Sequence, residues 1–282
     1  MKNILITGIS SGIGRYLAAT LPKHGYRVIG TLRKEADRLN VIQEQPNLSV
    51  VIMDLENGDS IQEAFKEINT LVEGNGLFAL INNAGIAVPG PLSELPLSRF
   101  RQQLETNLIG LLDCTQRCIP LLLHHAGERR ILNMSSVSGL IASPFIGAYA
   151  CSKFGLEALS DALRRELVFL GIKVVIIEPG PFKTAIWRKN LGVKDAFPNS
   201  LFSQFIQKAE GIILNSEANA FELPIILPSV IKALESNRPQ NRYLVHKSPK
   251  KLKFAAYFLP SKWLDKMIHK NLISGKNKIR PV

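Results

Sequence analysis

Residues 3–25 read "NILITGISSGIGRYLAATLPKHG", and the order of residue types along them decides the architecture. The run from Asn3 to Thr7 is largely apolar and predicts a strand. It breaks at a turn holding Gly8, Gly12 and Gly14, and apolar residues at helical spacing follow. Glycines in such a turn allow a sharp bend and let backbone N–H groups approach an anion at a helix start, where the helix dipole also favours negative charge. Strand, glycine turn and helix in that order predict a pyrophosphate cradle and hence a dinucleotide site. The turn alone would predict only a loop.

Working outward, similar apolar runs recur at 26–31, 48–53, 77–82, 129–136, 172–177 and 242–246, which predicts six or seven strands. Stretches of helical periodicity separate most of them, for example Leu156, Leu159, Leu163 and Leu167 within 148–170. Strands apolar on both faces and alternating with helices predict an α/β, doubly wound parallel sheet with right-handed crossovers. Ligands of such sheets bind at the carboxyl ends of the strands. No internal repeat, low-complexity tract or linker interrupts the chain before the tail.

The end of the second strand bears on which dinucleotide binds. An acid there accepts hydrogen bonds from a ribose 2′-hydroxyl, whereas a basic residue accommodates a 2′-phosphate. The sequence there is "GTLRK", so Arg33 and Lys34, with Arg15 nearby, predict NADP(H) in preference to NAD(H). Glu35 stands at about the spacing of a ribose-binding acid but reads as part of the next helix.

The chain of 282 residues, 46% hydrophobic and 21% charged, has the composition of a folded globular protein. No run reaches the roughly 18 apolar residues of a membrane span, and the chain opens at once on a strand, so neither a span nor a leader is expected. The three cysteines, Cys114, Cys118 and Cys151, lack the spacing of a disulfide framework or zinc site and suit a reduced, cytoplasmic protein. All three are expected to serve packing, and no metal is expected. Of the formal +12, the segment 246–282 carries +9, with ten Lys or Arg against the single acid Asp265. The basicity therefore belongs to the tail.

In "GAYACSKFG", residues 147–155, Tyr149 and Lys153 stand four apart and so share one helix face. A phenol with a pKa near 10 is a poor proton shuttle at neutral pH, and a cation beside it lowers that value. The pair is therefore a candidate proton donor with its tuning group.

The chain resembles the classical short-chain dehydrogenase/reductase family over about residues 2–245. The likeness rests on "TGISSGIG", "NNAG" at 82–85, "TN" at 106–107, "SS" at 135–136, "YACSK" at 149–153 and "PGPFKT" at 179–184, in the family's order. The resemblance implies one Rossmann-type domain, residues 1–246, a nicotinamide cofactor, and the catalytic set Asn107, Ser136, Tyr149 and Lys153. Ser136 is preferred to Ser135 because its separation from Tyr149 resembles the family spacing. In this set Ser136 would hold the substrate oxygen, Lys153 would reach the ribose, and Asn107 would hold a water linking Lys153 to solvent.

The resemblance further implies cofactor contacts from Gly8, Ser10, Ser11, Gly12, Ile13 and Gly14 at the pyrophosphate, with Arg33 at the ribose. Asp54 and Leu55 are expected beside the adenine, and Asn83, Ala84 and Gly85 along the ribose. Pro179, Gly180, Phe182 and Thr184 are expected near the nicotinamide. Hydroxysteroid and retinol dehydrogenases look most similar, through "GTLR" and "INNAGIAVPGPLSE". The expected activity is hydride transfer between NADP(H) and a hydrophobic alcohol or carbonyl, steroid-, retinoid- or lipid-like. The alternative is a catalytically silent NADP(H)-sensing regulator, which would have no need of a proton relay.

Residues 186–228 resemble a substrate lid, in which Trp187, Phe197, Phe202 and Phe205 could wall an apolar site. The stretches 98–124 and 148–170 correspond to those that pair subunits in many family members, so a homodimer or homotetramer is expected. The tail, residues 247–282, places Trp263, Leu264, Met267, Ile268 and Leu272 at helical spacing among lysines. It is expected either to touch an anionic membrane surface or to dock its apolar face on its own subunit or a partner, covering the lid. No nucleic-acid motif accompanies the charge, and no nucleic-acid partner is expected.

Overall fold

The computed structural model describes residues 1–72, 74–184, 186 and 192–273. Seven strands form one parallel sheet: β1 Lys2–Ile6, β2 Tyr26–Leu32, β3 Ser49–Ile52, β4 Ala79–Asn82, β5 Arg129–Met134, β6 Ile172–Pro179 and β7 Arg242–Val245. Their order is β3-β2-β1-β4-β5-β6-β7, with every neighbouring pair parallel. The order reverses between β1 and β4, which opens the crevice at their carboxyl ends where such folds hold ligands.

Alternation along β1 explains the layers. Ile4 and Ile6 pack on one side with Leu17, Val230 and Leu234, from helices α1 (Gly12–Thr20) and α9 (Leu227–Glu235). Leu5 points the other way, into a core with Phe65, Cys118 and Leu163. That second layer consists of α3 (Gly58–Leu71), α5 (Gly110–His124) and α6 (Gly147–Leu167), and α2 (Arg38–Glu44) links β2 to β3. Cys114 and Cys118 lie wholly inside it, as their apolar spacing predicted, and burial raises the Cys118 thiol well above its ordinary range. Cys151 departs from expectation, since its side of α6 faces solvent.

The helical stretch at 98–124 is not continuous. Helix α4 (Leu97–Leu104) passes through a π-helical turn, Glu105–Ile109, before α5 begins. Such a turn inserts an extra residue into the hydrogen-bond ladder and often marks a functional position. After β6 come α7 (Val193–Ala196) and α8 (Ser203–Ala218), and after β7 come α10 (Pro249–Phe258) and α11 (Ser261–Ile273). Among the described residues no helix is long and apolar enough to cross a membrane, and no cluster of three metal-ligating side chains occurs.

Candidate active site

The glycine turn is shaped by close approach. Gly8 has φ +71, and a Cβ there would lie 2.8 Å from the Ala84 Cα. A Cβ on Gly14 would collide with the Asn83 side chain and the Gly8 carbonyl. Both positions require glycine. The β4 end locks the turn from below: the Asn83 Nδ2 donates to the Thr7 and Gly8 carbonyls at 3.0 and 2.9 Å, and the Asn83 and Ala84 N–H groups both donate to the Thr7 hydroxyl at 3.0 Å. Ser11 begins α1 in extended conformation with no side-chain cap, and the helix has no acid in its first turn. The positive end of this helix is left open to an anion, so the turn fits a pyrophosphate.

The other residues expected at the cofactor are distributed around the cradle as follows. Thr184 lies against Gly12, 3.2 Å from where a Cβ would stand, and Pro179 ends β6 beside it. Asp54 and Leu55 follow β3, where the Asp54 Oδ1 accepts from the Glu56 N–H at 3.0 Å. Gly85 abuts the Asn107 carboxamide. Phe182, however, is buried and packs its ring at a tilt against Phe221, centroids 5.5 Å apart, which leaves its backbone to face a nicotinamide. Arg15 is committed to Glu44 at 2.7 Å and to the Ser10 and Asn40 carbonyls.

Arg33 stands half-exposed at the end of β2 with the Glu56 carboxylate 3.9 Å away, while Glu35 turns to Arg38 at 3.4 Å. Glu35, the acid that competed for the ribose position, is thus paired with Arg38, and the cations at the strand end are Arg33, loosely paired with Glu56, and the exposed Lys34.

The four predicted catalytic residues converge from three elements. Ser136 follows β5, Tyr149 and Lys153 lie one turn apart on α6, and Asn107 lies in the π turn. Helix α6 reaches the sheet through Ala148, Ser152, Leu156 and Ser160, which buries the same face and carries Lys153 under the site. The Lys153 Nζ donates to the Met134 carbonyl at 2.7 Å and lies 5.6 Å from the Tyr149 ring centre. Burial lowers the lysine to about 8, opposed by the nearby Glu157 charge. The Tyr149 phenol is raised by burial, with a hydrogen bond from Ser136 pulling it back. The expected lowering of the phenol is therefore not seen in the protein alone: desolvation outweighs an ammonium already spent on a carbonyl.

Asn107 uses its side chain differently from the sequence expectation. Its Oδ1 accepts from the Ile86 N–H at 2.9 Å, and its Nδ2 donates to the Ile86 carbonyl and the Ser152 hydroxyl at 2.9 and 3.0 Å. The carboxamide pins the "NNAG" loop to α6, so a water serving Lys153 would have to rest on backbone groups of the π turn.

Sequence reading missed three features. Phe145 adopts φ +66, rare for a bulky residue, and its ring meets Phe202, just before α8, edge-on at 6.0 Å. Its carbonyl accepts from the Gly90 N–H at 2.7 Å, which fixes the strained loop just before Tyr149. Phe197 packs with Val88 and Leu95 beside it, Phe205 is half-buried, and Trp187 lies outside the described residues. Nothing in the sequence signals a left-handed phenylalanine. The second feature is the commitment of Ser152. The third is a buried carboxyl: Glu178 on β6 is fully buried with both oxygens lacking a hydrogen-bond donor, and its Oε1 lies 3.5 Å from the Arg242 Nε. Arg242 also bonds Glu157 and Asp161, each at 3.0 Å. One acid inside the apolar run "IKVVIIEP" was the available signal.

A glycine cradle opening beside a buried Tyr, Ser and Lys set defines a dinucleotide-binding protein of the doubly wound class. Comparison with known proteins gives the family. The model for short chain dehydrogenases matches residues 2–192. The NADPH-dependent 3-dehydrocapnine reductase of Ornithobacterium rhinotracheale is 32% identical over 278 residues, covering 96% of this chain and 98% of that protein. Human retinol dehydrogenase 16 is 33% identical over 285 residues, covering 95% and 88%. Among solved structures, a short chain dehydrogenase/reductase from Burkholderia phymatum in complex with NAD matches with a TM-score of 0.77 at 20% identity, covering 100% of this chain and 97% of that one; the likeness is one of fold. The chain belongs to the short-chain dehydrogenase family and is an oxidoreductase.

Proposed function

We propose that the protein transfers a hydride between NADP(H) and a hydrophobic substrate, interconverting an alcohol and its carbonyl, with Tyr149 as general acid and base. The observation that carries this reading is the convergence of Ser136, Tyr149 and Lys153 beside the cradle formed by Gly8, Gly12 and Gly14. When bound, the reduced nicotinamide supplies the hydride to the carbonyl carbon. Ser136 holds the carbonyl oxygen by a hydrogen bond and Tyr149 gives it a proton, so the product is the alcohol. Lys153 reaches the cofactor ribose and steadies the phenolate that remains. Asn107 fixes the loop that carries Asn83 to Gly85, and the π turn offers a water path for proton return. In the reverse direction Tyr149 accepts the proton.

Arg33 supports NADP(H) over NAD(H), because it is the half-exposed cation at the strand end while Glu35 is paired away. The relative named for NADPH agrees, although the structural neighbour holds NAD. The lid edge supports an apolar substrate: Phe145 and Phe202 meet over the loop before Tyr149, and Phe197 closes on Gly90. The relatives' names, a 3-dehydrocapnine reductase and a retinol dehydrogenase, accord with a lipid-like alcohol or carbonyl. The tail extends the reading to a membrane surface, and apolar residues left exposed on the α5 and α6 layer extend it to a homo-oligomer.

The test is NADPH oxidation across a panel of long-chain and polycyclic ketones by wild type and Tyr149→Phe. Turnover is expected to fall by about 10³-fold or more in the variant, within the range a positioned proton donor supplies, with cofactor affinity nearly unchanged. Near-normal turnover by Tyr149→Phe would refute the proposed proton path.

A further inference from the structure

The last two helices leave an unusual surface. On α10, Lys250, Lys251, Phe254, Tyr257 and Phe258 recur three and four apart, so they form one stripe, and all are exposed, Phe258 by 73%. The Phe254 and Phe258 rings stack on each other at 5.9 Å. On α11, Trp263 and Met267 stand one turn apart, 65% and 57% exposed, with Lys262, Lys266 and Lys270 exposed around them. Other side chains are partly covered: Leu252 on α10, Leu259 just after it, and Leu264 and Ile268 on α11. Helix α11 packs against the lid helix α8.

The apolar residues of the tail are thus divided. Leu264 and Ile268 seat it on its own subunit, while the aromatic rings and Met267 face outward. Between 247 and 270 the chain carries seven lysines against one acid, Asp265. A second copy would bring the same sign of charge to this surface. An anionic lipid surface brings the opposite sign, and it also receives rings at the headgroup boundary while lysine stems reach back to the phosphates. Nucleic acid would meet the lysines but offers no apolar layer for Phe258 and Met267.

We propose that helices α10 and α11 dock the protein on an anionic lipid bilayer and set the lid helix α8, and with it the substrate entrance, against the membrane; the second half of this inference rests on the lipid-like substrate proposed above. The docking face is basic and studded with rings, and it is carried by the part of the chain that seats on α8.

The experiment is co-sedimentation of the full chain with vesicles of phosphatidylcholine alone and of equal parts phosphatidylcholine and phosphatidylglycerol. Binding is expected to the mixed vesicles only and to weaken with added salt. Each lysine among Lys250, Lys251, Lys262 and Lys266 replaced by Gln should weaken it by about fivefold, the factor implied by the ~1 kcal/mol of one cation near such a surface. Phe258→Ser combined with Trp263→Ser should weaken it more than a hundredfold, as burial of about two large side chains implies. All these side chains are exposed, so the variants should keep wild-type turnover of a water-soluble ketone, which separates failure of docking from failure of the catalytic reading. No binding to mixed vesicles by an active enzyme, or equal binding to phosphatidylcholine alone, overturns the proposal. So does a drop in native mass caused by the Phe258 and Trp263 substitutions, which would assign the surface to a second copy.

Discussion

Two residues carry more of the chemistry than their neighbours show. Arg33 has only a loose partner, Glu56 at 3.9 Å, so a 2′-phosphate could take its guanidinium without breaking a strong native contact. Charge-assisted contacts of this kind are worth about 1.5–3 kcal/mol. Arg33→Ala is therefore expected to cut a preference for NADP(H) by about ten- to a hundredfold, measured as the two dissociation constants in wild type and variant. Equal affinities for both cofactors in the wild type would sink this reading. Glu178 makes a different prediction. Burial first, and the neighbouring Glu157 charge second, push its carboxyl up from 4.5 to about 7, against Lys253 and Arg242. The folded protein then holds this proton more tightly than the unfolded chain, so the associated stability is present at low pH and is lost as pH rises from about 4.5 to about 7. Glu178→Gln keeps the shape and removes the titration. Its melting temperature should gain on wild type as pH rises through that window, and melting curves that stay parallel across it would contradict the assignment. Glu157, raised in the same direction by burial, leaves the variant a smaller residual slope.

At the level of elements, legibility followed burial. The strands were readable because a parallel sheet covered on both faces needs apolar residues at successive positions, and runs such as "KVVII" leave little choice. The glycine turn was readable because Gly8 and Gly14 answer to backbone contacts that no other residue permits. Helix periodicity placed Tyr149 and Lys153 on one face, but Ser136 was legible only through the family resemblance, since spacing alone does not choose between Ser135 and Ser136. The π turn was not readable. Thr106 and Asn107 are buried polar residues inside a helical period, and only the Ile86 and Ser152 partners, distant in sequence, explain why an extra residue fits there. Phe145 was equally hidden, since its left-handed backbone is held by the Gly90 hydrogen bond and by the ring contact with Phe202 before α8. Helix periodicity also grouped Trp263 and Leu264 in the tail, but they part at the helix surface because α8 covers one side alone. In each case the missing information is a tertiary contact.

For the whole molecule, the sheet and its two helical layers account for the buried core but leave apolar surface behind. Ile109 at the start of α5 is 52% exposed, Phe154 on α6 is 44%, and Val168 and Phe169 just beyond α6 are 62% and 87%. Gly155 of α6 lies against Leu108 of the π turn, so the two elements that carry Phe154 and Ile109 are packed together. Exposed apolar side chains on packed helices are what a subunit contact would cover, and a stable interface needs about 1,000 Å² or more of total buried area. Two copies related by a two-fold axis could cover this face with the same residues from each side. The tail is a poor substitute, because its lysines would repel one another. Light scattering at micromolar concentration is expected to give a dimer or tetramer mass, and Phe154→Asp should shift it toward monomer by forcing a charge into an apolar contact. Because Phe154 faces away from Tyr149 and Lys153, residual activity in the variant would report on assembly and not on chemistry. A monomeric wild type would show instead that the exposed rings of α6 serve some other contact.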